Sequence, residues 1–165
     1  MNNDKSNENV FGFDPEKYPR CECWEFLNNT SNRVLFKESD FESTVTITNS
    51  NGTTETYPAW YDDFEARYPD TDPAYVNYEQ FKRLTDWVVS TDRSAVSTEE
   101  EKIARLQKFR NEFEDYFVKD AMLFYYLFTE LFLMVDNRAK NFFATTFDGI
   151  HWFGIPYDFD TAIGM

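Results

Sequence analysis

Apolar and polar positions alternate in the first part of the chain and follow a helical period in the second. The stretch CECWEFLN, from Cys21 to Asn28, alternates and runs into an Asn-rich turn, which predicts a strand. STVTITNSNGTTETYPAW, from Ser43 to Trp60, places Val45 and Ile47 on one face, with Asn51-Gly52 as a hairpin turn. Pro58, Pro69 and Pro73 then punctuate WYDDFEARYPDTDP, which reads as an irregular acidic connector. Past Asn77, a plausible cap, Tyr78, Phe81, Leu84 and Val88 fall at helical spacing.

A second helix is signalled by Ser97 or Thr98 ahead of Glu100 and Glu101, the spacing of a capping box. Ile103, Leu106, Phe109, Phe113 and Phe117 follow as one apolar stripe, read as core packing. DAMLFYYLFTELFLMV is apolar almost all the way round, which predicts a buried central helix. Asp136 stands just after it, close to the negative end of the helix dipole, where an acid is disfavoured by a few tenths of a kcal/mol to about 1 kcal/mol. NFFATTF and IHWFGIPY, separated by Asp148-Gly149, predict a β-hairpin. Strands first, then helices, then a hairpin make the fold class α+β.

Composition narrows the function. The chain has 165 residues, enough for one domain with a core, and 19% of them are aromatic. Its formal net charge of −14 repels nucleic-acid phosphate and anionic lipid, so neither is expected as a partner. It also repels ATP unless divalent cations intervene. The apolar run from Ala121 to Val135 is about 15 residues, short of the roughly 20 of a membrane span, so no span is expected. The first ten residues, MNNDKSNENV, are polar and lack the layout of a secretory signal. Cys21 and Cys23 would share a strand face in poor geometry for a mutual disulfide, and read as small apolar residues. Asn28, Asn29 and Asn51 each begin an N-x-Ser/Thr pattern, a match that chance supplies easily in an Asn- and Thr-rich chain.

The chemistry concentrates around the last hairpin. Antiparallel pairing brings the segment after Asn141 beside the segment before Asp158, so Asp136, Asn141, Asp158 and Asp160 come within reach of one another. Taken singly, Asp136 and Asn141 suit a turn after a helix, and Asp158 and Asp160 suit solvated acids at a strand end. Capping does not require the later D-x-D, so the joint spacing favours a site. Phosphoryl transfer needs oxygen ligands for divalent cations and a group to orient or deprotonate the attacking hydroxyl. DNRAKN has the D-x-x-x-x-N spacing of a kinase catalytic loop, and Asp158-Phe159-Asp160 occupies the place of D-F-G. Glu130, within the apolar helix, is expected to face a partner or a cavity, and His151, alternating out from a strand in an aromatic stretch, reads as structural.

This variant pattern, DNRAKN followed by YDFDTAIG with FDGIHWFGIP between, resembles the CotH kinase family of atypical kinases. The match is good from about Tyr116 to Gly164, and FEARYPD and LTDWVVST resemble the family less specifically. The resemblance implies Asp136 as the catalytic base, Asn141 as a metal ligand, Asp158 as the principal metal ligand bridging to nucleotide phosphates, and Asp160 as the second. Lys140 would neutralise phosphate charge. It implies ATP with Mg2+ or Mn2+ and a protein acceptor. The residues themselves divide the chain into a polar, disordered start at 1–13 and a single domain over 14–165, with a β-rich part at 14–62, a connector at 63–76 and a helical part with the hairpin at 77–165. The resemblance implies that this domain is kinase-like and incomplete at its C-terminus. The site would lie between the β-rich part and the buried helix.

Against the pattern stand only five glycines, no Gly-rich phosphate loop and no strand with a convincing nucleotide-binding lysine, Lys37 being the best candidate. The larger lobe of a kinase also continues well past this point, so the resemblance implies a fragment or a shortened relative. The alternative is a non-catalytic binding or structural module, such as a component of a phage particle or bacterial surface assembly, with an assembly partner in place of an acceptor.

Overall fold

The computed structural model describes residues 12–26, 41, 43–62, 64–71, 75–134 and 141–157. It is mixed α+β, as the order of elements implies. The strands are β1 (Glu22–Phe26), β2 (Thr44–Thr48), β3 (Thr54–Pro58), β4 (Phe64–Tyr68), β5 (Phe142–Thr146) and β6 (Trp152–Pro156). The helices are α1 (Glu79–Thr91), α2 (Glu99–Glu112) and α3 (Lys119–Leu131). One antiparallel sheet has the order β4-β1-β5-β6, and β2-β3 form a separate hairpin.

β1 is central and all five of its residues are buried. Its period of two sends Trp24 and Phe26 into one core and Cys21 and Cys23 into the other. In the first core Trp24 stacks on Phe81 of α1 with centroids 4.3 Å apart, Phe26 stacks on Phe142 at 4.2 Å, and Trp60, Phe64 and Trp152 close the cluster. Such aromatic pairs are worth about 1 kcal/mol each beyond their buried area. The opposite face of the sheet is covered by the chain ahead of β1. Phe13 lies 4.7 Å from the Tyr68 ring, and Tyr18 lies 5.0 Å from Phe147. Phe13, placed by its polar surroundings in a disordered start, is therefore a core residue, 3% exposed. Residues 1–11 lie outside the described residues.

Three expectations are corrected. The connector predicted as irregular contains β4, because Phe64 drives into the core and Glu65 and Arg67 pair at the strand surface. The stripe that begins on α2 reaches the core only at its far end, where Phe117, beyond the helix, packs against the first cluster. α2 has no buried residue, and it leans on α1 through Phe109 stacked on Trp87 at 5.6 Å, leaving Ile103 exposed. Nor is α3 a buried helix. It packs one side on β6, where Tyr125 and Thr129 are buried, while Leu123, Phe124, Leu127 and Leu131 are 51 to 76% exposed.

Local signals explain the ends. Thr98 and Glu101 form the capping box of α2. The Asn77 side chain, predicted as the cap, accepts from the Glu79 N–H at 3.0 Å from one step ahead of the observed cap position, Tyr78. α3 stops in a Schellman motif, with Met134 N–H donating to the Thr129 carbonyl at 2.8 Å and Leu133 N–H to that of Glu130 at 3.2 Å. Leu133 takes the left-handed conformation there, φ 53, where glycine is usual.

Both hairpins have longer turns than their Asn-Gly and Asp-Gly pairs imply. Thr48 pairs with Thr54, and Thr146 with Trp152, so each loop holds five residues. Gly52 and Gly149 both have positive φ, but a Cβ on Gly52 would meet open space, whereas one on Gly149 would fall 1.5 Å from Gln80 Oε1. Gly52→Ala is expected to cost only the conformational penalty, about 1 kcal/mol. Gly149→Ala should cost about 1–2 kcal/mol more, because Gln80 must release its bond to Glu22. Urea unfolding of the two variants checks the difference. Burial pushes the Cys23 thiol up to about 12. Cys23 should therefore resist alkylation in the native protein at pH 8 and react at once in denaturant, as peptide mass mapping can show.

Candidate functional site

The hairpin that carries the motif is fixed from three sides. β1 pairs with β5 over Glu22↔Thr146, Cys23↔Thr145, Trp24↔Ala144 and Glu25↔Phe143. At the start of α3, Val118 N–H donates to the Trp152 carbonyl at 2.9 Å, and Trp152 N–H donates to that of Tyr116 at 2.8 Å. Along α3, the Tyr125 ring lies over Gly154, where a Cβ would come within 3.0 Å of a ring carbon. Only a residue without a side chain lets the helix approach β6 so closely.

The open end of the hairpin holds Asn141. Its φ is 57, a left-handed conformation that Asn tolerates better than most residues. Its carbonyl accepts from Tyr157 N–H at 3.0 Å, one step beyond the Phe142↔Pro156 pair. The residue that ends the D-x-x-x-K-N stretch and the residue just before Asp158 are thus bonded backbone to backbone. Asp136, Lys140, Asp158 and Asp160 lie outside the described residues, as do Lys37, Asn28 and Asn29. α3 ends at Leu131, five positions before Asp136 in the sequence. Among the described residues no group of three or more His, Cys, Asp or Glu could hold a metal ion, and no helix is long and apolar enough to cross a membrane.

At the closed end Asp148 organises the loop. Its carboxylate accepts from Ile150 N–H and His151 N–H, each at 2.8 Å, and from the Thr146 hydroxyl at 3.1 Å, and it bonds the His151 ring at 2.6 Å. His151 is therefore a loop residue rather than a strand residue, with a structural partner.

Two buried acids went unassigned in the sequence. Glu22 and Glu25 are 5% and 3% exposed. Glu22 accepts from Trp24 Nε1 at 3.0 Å and from Gln80 Nε2. Burial pushes its carboxyl up, against the lowering effect of those two donors. Glu25 pairs with Arg67. The signal was present in the alternation, since Glu22 shares a strand face with Trp24 and Phe26, and Glu25 shares one with Cys21 and Cys23. A groove of about 510 Å³ between α1 and α2 is lined by Lys82, Arg83, Lys108, Glu79, Asp86 and Tyr116, among others. There Lys82 pairs with Asp86 at 2.8 Å, Arg83 lies over the Tyr116 ring at 4.3 Å and Lys108 bonds the Ser90 hydroxyl at 2.8 Å.

Comparison with protein-family models, with curated proteins and with solved structures finds no match to this chain.

The Asp148 carboxyl is partly buried, which by itself would raise it, but the bonds from His151, Ile150 and Thr146 outweigh this and hold it at about 2, below the ordinary 3.8. A carboxylate held low in the folded state stabilises it above the unfolded value, and that contribution is lost as pH falls from about 4 to about 2. The side chain is half exposed, so solvent screening trims the effect to about 1 kcal/mol. Asp148→Asn should flatten the fall in stability over that window in urea titrations at pH 5, 4, 3 and 2.

Proposed function

We propose that the chain carries the metal- and nucleotide-binding segment of a CotH-like atypical kinase, which transfers a phosphoryl group from ATP to a protein hydroxyl. The observation that carries the reading is the Asn141–Tyr157 backbone bond, which closes the hairpin between DNRAKN and DFD. Asn141, Asp158 and Asp160 would supply oxygen donors, the chemistry that Mg2+ and Mn2+ prefer. The bound cation would neutralise charge on the phosphates. Asp136 would orient or deprotonate the acceptor hydroxyl, and Lys140 would offset phosphate charge. Thermodynamically, a cation between nucleotide and carboxylates is also what lets a chain of net charge −14 hold ATP.

A second reading, a non-catalytic module of a phage particle or bacterial surface assembly, is favoured by the exposed apolar side of α3. The two separate by measurement. ATP with Mg2+ or Mn2+ should raise the melting temperature, by the equivalent of about 2.7 kcal/mol at a hundredfold excess over Kd, and Asp158→Ala should abolish the shift. Labelled-phosphate transfer to protein should vanish in Asp136→Ala. Nucleotide binding without transfer would favour the non-catalytic reading, and no binding at all would overturn the kinase reading.

A further inference from the structure

The strongest unexplained feature of the described surface is the outer side of α3. From Ala121 to Met134 the only charged residue is Glu130. Leu123 is 51% exposed, Phe124 69%, Leu127 63% and Leu131 76%, and Leu133 just past the helix is 61% exposed. Leu123, Leu127 and Leu131 stand at i, i+4 and i+8, a continuous ridge of the kind that packs helix against helix. The opposite side of the same helix already sits on β6. Among the described residues, α3 is thus apolar on two sides and packed on β6 by one.

We infer that this ridge is a self-association surface, on which α3 of one copy packs against α3 of a second across a two-fold axis. Size supports a second copy as the occupant. The exposed parts of these five side chains amount to roughly 600 Å², the lower end of what each partner gives a specific interface. Shape supports it as well. A two-fold axis sets the i±4 row against itself, which is the commonest helix-packing class. Net charge works in the other direction, because each copy carries −14. Association should therefore strengthen as salt rises, the opposite of binding to a basic partner. This inference does not depend on the kinase reading.

Sedimentation velocity of the full chain, from micromolar to several hundred micromolar at low and raised salt, tests it. A monomer–dimer equilibrium that shifts toward dimer with salt is expected. Leu127→Lys should weaken it on the order of 100-fold, as for a central interface residue, while Ile103→Lys, on the exposed side of α2, should leave it unchanged. Both positions are exposed and lysine is a good helix former, so far-ultraviolet circular dichroism should match the parent. Leu131→Lys provides a second probe of the ridge should Leu127→Lys fold poorly. A monomer under all conditions overturns the inference, as does a dimer that Leu127→Lys and Leu131→Lys leave intact.

Discussion

The pairing of β1 with β5 joins residues more than a hundred positions apart and makes one sheet of what would otherwise be two fragments. β1 has β4 on one side and β5 on the other, and it is buried on both faces. A two-stranded β5-β6 hairpin is marginal in water by itself. With β1 beside it, the hairpin gains a row of backbone bonds, the Phe26–Phe142 stack and a place for α1 and α3 on the same face. Asn141 sits at the end of this assembly, so the order of the motif's first strand depends on a segment near the start of the chain.

That central strand contains two acids, and their treatment shows how the core tolerates them. Glu25 has a guanidinium partner in Arg67, which makes it part of a charge pair at the β1–β4 seam. Glu22 has neutral donors instead, an indole and an amide, and burial raises its carboxyl as a result. A buried acid with donors already in place costs far less than one without them. Gln80, reaching from α1, supplies one donor and also lies against Gly149. One side chain thus couples the helix, the central strand and the closed end of the hairpin.

Much of this was legible in the residues, for reasons that differ by element. The capping box of α2 and the last hairpin are local, and local chemistry predicts them. β4 is hidden in the sequence because Pro58, Pro69 and Pro73 around it dominate the local pattern, while Phe64 becomes a strand residue only through β1. α3 was read as buried because hydropathy reports what could be buried, and nothing in a periodic pattern says how many layers will cover it. The five-residue loop at Asp148 was read as two, since the aspartate's own side-chain bonds, rather than a tight backbone turn, close it. The site was legible as spacing alone. The fold contributes the bond between Asn141 and Tyr157, while Asp136, Lys140, Asp158 and Asp160 rest on their positions in the sequence.

Native-state hydrogen exchange tests the dependence of the hairpin on β1 most directly. The pairing predicts that the amides of Cys23, Trp24 and Glu25 exchange in the slowest class together with those of Phe143, Ala144 and Thr145, all of them opening only with global unfolding. Fast exchange in β1 alongside slow exchange in β5 and β6 would contradict it, showing a hairpin that stands without the N-terminal strand.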